Sequence, residues 1–533
     1  MNFNQTFGKH TVGAMLGMSY QQQDDDYINA SAQGPDIMKG YEPNFLYLSY
    51  LNSNEDTKKN FDGVPSTSRF LSYFGRLIYS FDDRYSLQGN FRRDAADQSK
   101  LAKDNRWGTF LSASAGWTFS NETFFKNAVD QKFISFGKIR ASWGQNGNVN
   151  VLGYMSQANQ DNRFKSTASI AQNSLWYQYG ASNAAQYGSI INNLANPDLN
   201  WEKTESIDLG LDLRFLNSRL GLTVDWYKKT TKDLLANGNV SSLTGFNNVT
   251  MAIGDVENTG LEVELSWKDN IGDFKYGISA NMATLKNNVT RVSPAIDKRL
   301  PGGGVDGASP DAISCFFEEG HPIWYMRGFK YLGMNEQGQA IYENWRPNPE
   351  TGVLELDPAG PTNAPNPEED MVDIGSGIPD ITYGITLNAE YKGIDFTIFG
   401  TGAAGNDVYY GLYRTGYHNV AKGVYDDFKS GKYPALSSIA GDGYFWRSSG
   451  MVYDGSYFKI KQIQLGYTFP KSLTQKIAID NLRAYISLDD FFTFTSYPGL
   501  DPETTTQSYN RLGLDRGAYP VMKKMVVGVS VTF

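Results

Sequence analysis

The feature that most restricts the fold is a two-residue rhythm of hydropathy that returns along nearly the whole chain. The end shows it plainly. Met525, Val527, Val529, Val531 and Phe533 fall on one face, and Lys524, Val526, Gly528, Ser530 and Thr532 on the other. Ile207, Leu209, Leu211, Leu213 and Phe215 alternate with Asp208, Gly210, Asp212 and Arg214. Leu220, Leu222, Val224 and Trp226 stand against Gly221, Thr223 and Asp225, and Leu261, Val263, Leu265 and Trp267 against Glu262, Glu264 and Ser266. The segments Tyr383 to Tyr391 and Ile463 to Phe469 repeat the pattern. Successive side chains of a strand point to opposite faces, so each segment is a ribbon with one greasy side; helical spacing fits none of them. Less regular strands are expected near 9–20, 69–81, 84–93, 106–120, 133–146, 274–288, 394–405 and 481–495, about fourteen long strands in all. Most exceed the roughly 9–11 residues with which a tilted strand crosses a bilayer.

The connections sharpen this. Asp82-Asp83, Asn217-Ser218, Asp269 to Asp273 and Lys392-Gly393 are tight, and 121–132 and 470–480 are intermediate. Between them lie long segments near 21–68, 94–105, 147–200, 231–254, 289–379, 406–456 and 496–521. Long and short alternate without a break. In an up-and-down meander, alternate connections lie at opposite ends, so every long one gathers at one rim. That asymmetry belongs to outer-membrane barrels, with short periplasmic turns and long extracellular loops. The expected fold is therefore all-β, an antiparallel up-and-down transmembrane β-barrel with its greasy face on outer-membrane lipid and Phe533 at the interface. A soluble β-rich secreted protein, such as a glycan-binding propeller or a glycosidase, is the alternative, with shorter and more evenly spaced strands.

Composition agrees. Aromatics make up 14% of the 533 residues and glycine reaches 54, a mixture that suits strands and tight bends. No run of 18 apolar residues occurs, which excludes a helical membrane protein but not a barrel, whose alternation dilutes hydropathy. A net charge of -9 argues against nucleic-acid binding, and the single Cys315 rules out an internal disulfide. His10, His321 and His418 carry no metal-ligand spacing, and neither a phosphate-binding glycine loop nor a nucleophile elbow occurs. Paired carboxylates among 57 acids read as coincidence rather than catalysis. Asp24-Asp25-Asp26 lacks the ligand spacing and glycine of a calcium loop and reads as a solvated charge run. The first residues, Met1 to Gln5, lack the regions of a signal peptide.

The long segments hold exposed-looking aromatics beside amides and acids: Trp176, Tyr177 and Tyr179, then Trp324, Tyr325 and Trp345, then Tyr409 and Tyr413. Flat rings stack on sugars and peptides while amides read hydroxyl or backbone groups, so these are candidate contacts with cargo or a covering partner. The competing reading is that the loops pack on one another. On the polar side of the strands, Asp208, Asp212, Arg214, Glu262 and Glu264 are candidates to line a wet lumen.

Several stretches together resemble the C-terminal part of SusC-like (RagA-type) TonB-dependent outer-membrane transporters. They are Asn196-Pro197-Asp198-Leu199-Asn200-Trp201-Glu202-Lys203-Thr204, Gly254-Asp255-Val256-Glu257-Asn258-Thr259-Gly260-Leu261-Glu262 and Gly377-Ile378-Pro379-Asp380-Ile381-Thr382-Tyr383-Gly384. Ser456-Tyr457-Phe458-Lys459-Ile460-Lys461, Leu465-Gly466-Tyr467-Thr468-Phe469-Pro470-Lys471 and Pro498-Gly499-Leu500-Asp501-Pro502-Glu503 complete the set. Order, spacing and the final Phe533 agree over nearly the whole chain. The segment 346–373 departs, with Pro- and Glu-rich text where relatives often carry a short acidic Asn-Gly-Asp-Gly run, so no metal site is carried over.

The resemblance implies a plugged barrel of about 22 strands, of which residues 1–533 supply about the last fourteen. Signal peptide, plug domain and first strands are then expected upstream of residue 1. It implies transport rather than catalysis, without a cofactor. A SusD-like surface lipoprotein caps the mouth, oligosaccharide or oligopeptide cargo is held beneath it, and TonB pulls the plug to admit the cargo. The aromatics above would meet cargo or lid, and the charged polar faces would hold the plug. A passive porin, an adhesin or a barrel enzyme is the rival within the membrane.

Overall fold

The computed structural model describes residues 1–33, 58–97, 101–149, 155–156, 170–179, 184–191, 196–239, 243, 248–296, 298–304, 314–411, 444–504 and 510–533. Its main element is a 17-stranded sheet. Two of those strands are minor: the short Met155–Ser156, and Lys286–Val292, which prolongs a neighbour. The other fifteen form the wall. They are β1 (Asn2–Phe7), β2 (His10–Gln33), β3 (Lys58–Phe81), β4 (Tyr85–Ala96), β5 (Trp107–Trp117), β6 (Ile134–Asn148), β7 (Glu202–Phe215) and β8 (Leu220–Asn239). β9 (Asn248–Ile271), β10 (Phe274–Thr284), β11 (Ile381–Tyr391), β12 (Ile394–Ala404), β13 (Tyr457–Thr468), β14 (Asn481–Thr495) and β15 (Lys524–Thr532) follow. Each is antiparallel to the next in sequence, an uninterrupted meander. Among the described residues β1 pairs only with β2, and β15 only with β14.

Register sorts the two faces. Directly opposed residues share a face, and one row runs Leu220, Trp267, Ile278, Leu387, Ile398, Ile463, Leu488, Met525 across eight strands. Leu209, Trp226, Leu265, Ile278, Val527 and Val529 on this face are exposed. Apolar rows left open over so many strands would be unfavourable in water, at about 25 cal/mol per Å² of apolar surface; in hydrocarbon the cost disappears. No helix among the described residues is long and apolar enough to cross a membrane. The expected barrel wall is thus the observed architecture.

Three details differ from the sequence reading. β1 was not expected at all; its Asn-, Gln- and Thr-containing text shows no clean rhythm. β2 and β3 each run 24 residues, into what reads as loop 21–68, so Asp24-Asp25-Asp26 sit on a strand. β8 and β9 likewise shorten the expected loop 231–254. The added length of β2 is largely polar, and that of β8 and β9 buries Leu235, Ala236, Ile253 and Val256 against the cap, so hydropathy does not alternate there although the backbone ladder continues. Segment 147–200 also holds a hairpin, Ile170–Tyr179 with Ala184–Ile191.

At the other rim the turns are tight. Asp82 and Asp83 have φ of 50° and 51°, and Lys392 and Gly393 have 47° and 90°. Two successive left-handed residues match the twist of antiparallel strands, which is why Asp-Asp and Lys-Gly suffice there.

The apolar core lies neither between sheets nor inside the wall. It lies in a cap built from the connections at the long-loop rim. Arg299–Gly304, Ser314–Glu318, Tyr325–Phe329 and Met371–Gly375 make a four-stranded sheet, and Asp407–Tyr410 lies between Val452–Asp454 and Leu514–Asp515. Ile253, Val256 and Val289 from the wall's upper edge pack with Cys315, Phe317, Trp324, Met326, Phe329, Tyr342, Tyr409 and Phe445. The chain thus joins a lipid-solvated wall to a conventionally packed lid of loops.

Candidate functional site

The polar side of the wall is a ladder of charge. One row reads Asp212, Thr223, Glu264, Asn281, Gly384, Thr401, Lys459, Thr493, and the next reads Gly210, Asp225, Glu262, Ala283, Thr382, Ala403, Tyr457, Thr495. Arg140 of β6 lies across from Gly210, where the missing side chain leaves room for the guanidinium. It binds Asp212 through Nε at 2.7 Å and Asp225 through Nη2 at 2.9 Å, and Thr223 Oγ1 donates to Asp212 at 3.2 Å. Asp208 Oδ2 accepts from Ser142 Oγ at 3.2 Å. Asp208, Asp212, Arg214, Glu262 and Glu264 all occupy this face by register. Charges this hydrated are held in place at little net cost or gain.

Where wall meets cap, the motifs noted in the sequence come together. Lys459 is 1% exposed, and its Nζ donates to Asp501 Oδ1 and Oδ2 at 3.0 and 2.9 Å and to Glu503 Oε2 at 2.6 Å. Lys461 Nζ meets the same Glu503 at 2.6 and 2.7 Å. A bulge makes this possible: Lys461 is an extra residue on β13, faced by the extra Asp490 and Phe491 on β14, so both lysines reach one glutamate. Burial pushes the Glu503 carboxyl up, yet the two ammonium groups outweigh it and hold it below the usual carboxylate range. Asp501 also accepts from the Val521 N–H at 3.2 Å, tying down the connection that leads into β15.

The other motifs serve the same seam. Trp201 packs with Phe110, Leu199 and Leu235, and Glu202 accepts from Asn148 Nδ2 at 3.2 Å and the Leu235 N–H at 3.3 Å. Asp255 takes two bonds from Arg291, both 2.8 Å. At Gly260 an added Cβ would meet the Thr284 carbonyl and the Tyr227 hydroxyl, and Tyr227 donates to that carbonyl at 3.1 Å.

The aromatic candidates divide. Trp324, Tyr325 and Tyr409 are 4%, 1% and 0% exposed. They are corrected from ligand contacts to cap core: loop aromatics here pack on each other, and Tyr325 hands its hydroxyl to Glu318, Tyr409 to the Trp446 carbonyl at 2.8 Å. Trp345 is half-buried, with Nε1 on Glu343 at 3.2 Å. Trp176, Tyr177 and Tyr179 lie on one strand of the 170–191 hairpin, and Tyr413 lies outside the described residues. Phe533 is open to the surroundings.

Two titrating groups of the cap, His321 and Cys315, carried no functional assignment from sequence. His321 Nδ1 lies 3.1 Å from Asp373 Oδ2 and its ring stacks on Tyr325 at 4.3 Å; the Asp373 bond raises the imidazole pKa although burial opposes. Burial pushes the Cys315 thiol up to about 12. Among the described residues no group of metal-ligating side chains gathers. Arg140 and the Lys459 cluster were missed as well. Only the motif text around Lys459 and Asp501 signalled the latter, since nothing in a linear sequence says that positions 459 and 501 touch.

A family model described as "TonB dependent receptor-like, beta-barrel" matches residues 1–482. TonB-dependent receptor P3 of Formosa agariphila is 27% identical over 560 residues, covering 100% of this chain and 52% of that protein. TonB-dependent receptor SusC of Bacteroides thetaiotaomicron is 27% identical over 508 residues, covering 93% and 47%. Among solved structures the RagAB peptide transporter superposes with a TM-score of 0.76 at 22% identity, covering 100% of this chain and 54% of that one. The chain thus spans about half the length of the relatives it matches. With a meander wall, one greasy face, connections gathered at one rim and a matching model over most of its length, the chain belongs to the TonB-dependent receptor-like β-barrel family of the Gram-negative outer membrane.

Proposed function

We propose that this chain forms wall and mouth of a SusC/RagA-type importer that carries oligosaccharides or oligopeptides across the outer membrane. A SusD-like lipoprotein closes over its cap, and TonB acts on a plug held against the polar face. The observation that carries the reading is the unpacked polar face: Asp212, Asp225, Glu262 and Glu264 line up with Arg140 where a solid core would need apolar side chains. A face of that kind suits a hydrated interior and a removable polar plug. Remaining aromatics, Trp176, Tyr177, Tyr179, Trp345 and Tyr413, are assigned to cargo or lid.

The test is uptake of fluorescent oligosaccharides and oligopeptides by cells expressing the receptor with its neighbouring lipoprotein, with and without TonB. Uptake that needs TonB is expected for one cargo class. Equal uptake without TonB would support a passive pore and refute the reading.

A further inference from the structure

We propose that the membrane-facing side of β8, β9 and β11 binds an anionic lipid of the outer leaflet, its phosphate over Lys228, Thr259 and Lys286 and an acyl chain in the groove below. Only the chain's place in the outer membrane is needed for this, not the import reading. Register fixes the layout. Leu209, Trp226 and Leu261 form an outward row, and the next row toward the long-loop rim is Ile207, Lys228, Thr259, Lys286. Apolar text gives way to polar text between the two, with Trp226 and Leu261 40% and 38% exposed below the break. Tryptophan at such a boundary marks the level of the lipid headgroups. Here the wall is interrupted. β10 stops at Thr284, and Lys286–Val292 continues beside β9, its only strand partner among the described residues. β11 begins at Ile381, and the Leu285 N–H reaches the Asp380 carbonyl at 2.8 Å. The step leaves a groove of about 450 Å³ lined by Trp226, Leu261, Leu285 and Ile381, with Thr259 and Lys286 at its upper edge.

The charges call for an anion. Lys286 is exposed and makes no ion pair among the described residues, and the Thr259 hydroxyl beside it has no partner there either. Strands about 4.8 Å apart put Lys228 and Lys286 on either side of Thr259, so both ammonium groups can converge over its hydroxyl. Lys228 Nζ is held by Glu257 at 2.7 Å in the row above. Further up, Lys203 stands directly opposite Lys232, a like-charge pair that costs stability in a bare sheet. Of these two, Lys232 alone has a partner among the described residues, Glu205 at 3.3 Å. The three rows thus set Lys203, Lys228, Lys232 and Lys286 against Glu205 and Glu257. The one acid among the groove's lining residues, Asp380, has its carboxylate packed over Gly405 at the end of β12. A soluble anion would leave the aliphatic groove unused, and a plain hydrocarbon would leave the lysines unused. A phosphate with acyl chains beneath it matches both, at the level where lysine stems lie on apolar surface and their heads reach the polar layer.

The test is native mass spectrometry of the full receptor released from nanodiscs of zwitterionic phospholipid doped with lipid A, either intact or phosphatase-treated. Wild type should retain the phosphorylated form about tenfold or more over the dephosphorylated one. Lys228→Gln with Lys286→Gln should remove that preference, and Glu257→Gln, which frees Lys228, should strengthen it. Ile381→Asn should weaken retention of both forms, because it makes the groove polar and leaves the lysines in place. Heat-modified migration on gels reports that each variant barrel is folded. No preference in wild type, or an unchanged preference in the double lysine variant, overturns the proposal. Displacement of the lipid by inorganic phosphate assigns the lysines to a free anion and overturns the lipid as its source. A receptor dimer that shuts lipid out of the groove overturns it in favour of a second copy. Each of these results leaves TonB-dependent uptake to be decided separately.

Discussion

Replacing Lys459 by Met should release the connection between β14 and β15 from the wall. The ammonium is buried and makes three contacts of 3.0 Å or less, two to Asp501 and one to Glu503. Removing one partner of a buried pair costs about 3–5 kcal/mol, mostly because the carboxylate left behind has lost its solvation. The lower figure applies here. Asp501 keeps the N–H groups of Glu503 at 3.1 Å and Val521 at 3.2 Å, and Glu503 keeps Lys461. About 3 kcal/mol corresponds to a roughly 150-fold larger open population of residues near 496–504 and Val521. Hydrogen exchange on the receptor in nanodiscs reads this directly, through the Val521 amide, whose acceptor is Asp501. A double variant, Lys459→Met with Asp501→Leu, should recover most of the protection, because an apolar pair of similar volume carries no desolvation penalty. Exchange at Val521 within about threefold of wild type in the single variant would refute the reasoning.

Other outcomes follow from the cap and the seam. The His321 pKa lies above its ordinary 6.5 in the folded cap, so its contribution is full below that value and is lost as pH rises through the raised one; exchange protection of 371–375 should be greater near pH 5.5 than near pH 8, and His321→Gln should abolish the difference. Cys315, buried with its thiol pushed up to about 12, should resist maleimide at neutral pH in the native receptor and label fully once unfolded. Gly260→Ala should lower the thermal midpoint of the barrel by the equivalent of about 1–3 kcal/mol, because its Cβ would lie against the Thr284 carbonyl; an unchanged midpoint would show that the strand relaxes there without cost.

Much of the wall was legible because hydrocarbon imposes alternation residue by residue: Leu220 to Trp226 and Met525 to Val531 could hardly be anything else. The same argument explains what was hidden. Gln21 to Gln33 extend a strand with largely polar text, and Thr230 to Asn239 extend one that buries Leu235 and Ala236 against the cap, so neither carries the rhythm. Trp324 and Tyr409 look like ligand-binding aromatics in a loop, and only their place in one cluster with Phe317, Phe329 and Phe445 shows them to be core. Lys459 sits in a strand register that forecasts a wet side chain; its burial depends on a segment 42 residues away.

The irregularity at Lys461 bears on how such walls tolerate change. In a single-layer sheet each strand obeys an odd-even code, and one added residue would turn every later side chain inside out. Here β13 carries its extra residue as a bulge and β14 answers, so that Ile463 and Leu488 again face the membrane together. Odd-numbered insertions into the crossing strands are therefore permitted only with a local correction, whereas the rim connections can lengthen freely. Sequence change is thereby channelled into the rim, while the staves beneath keep their parity.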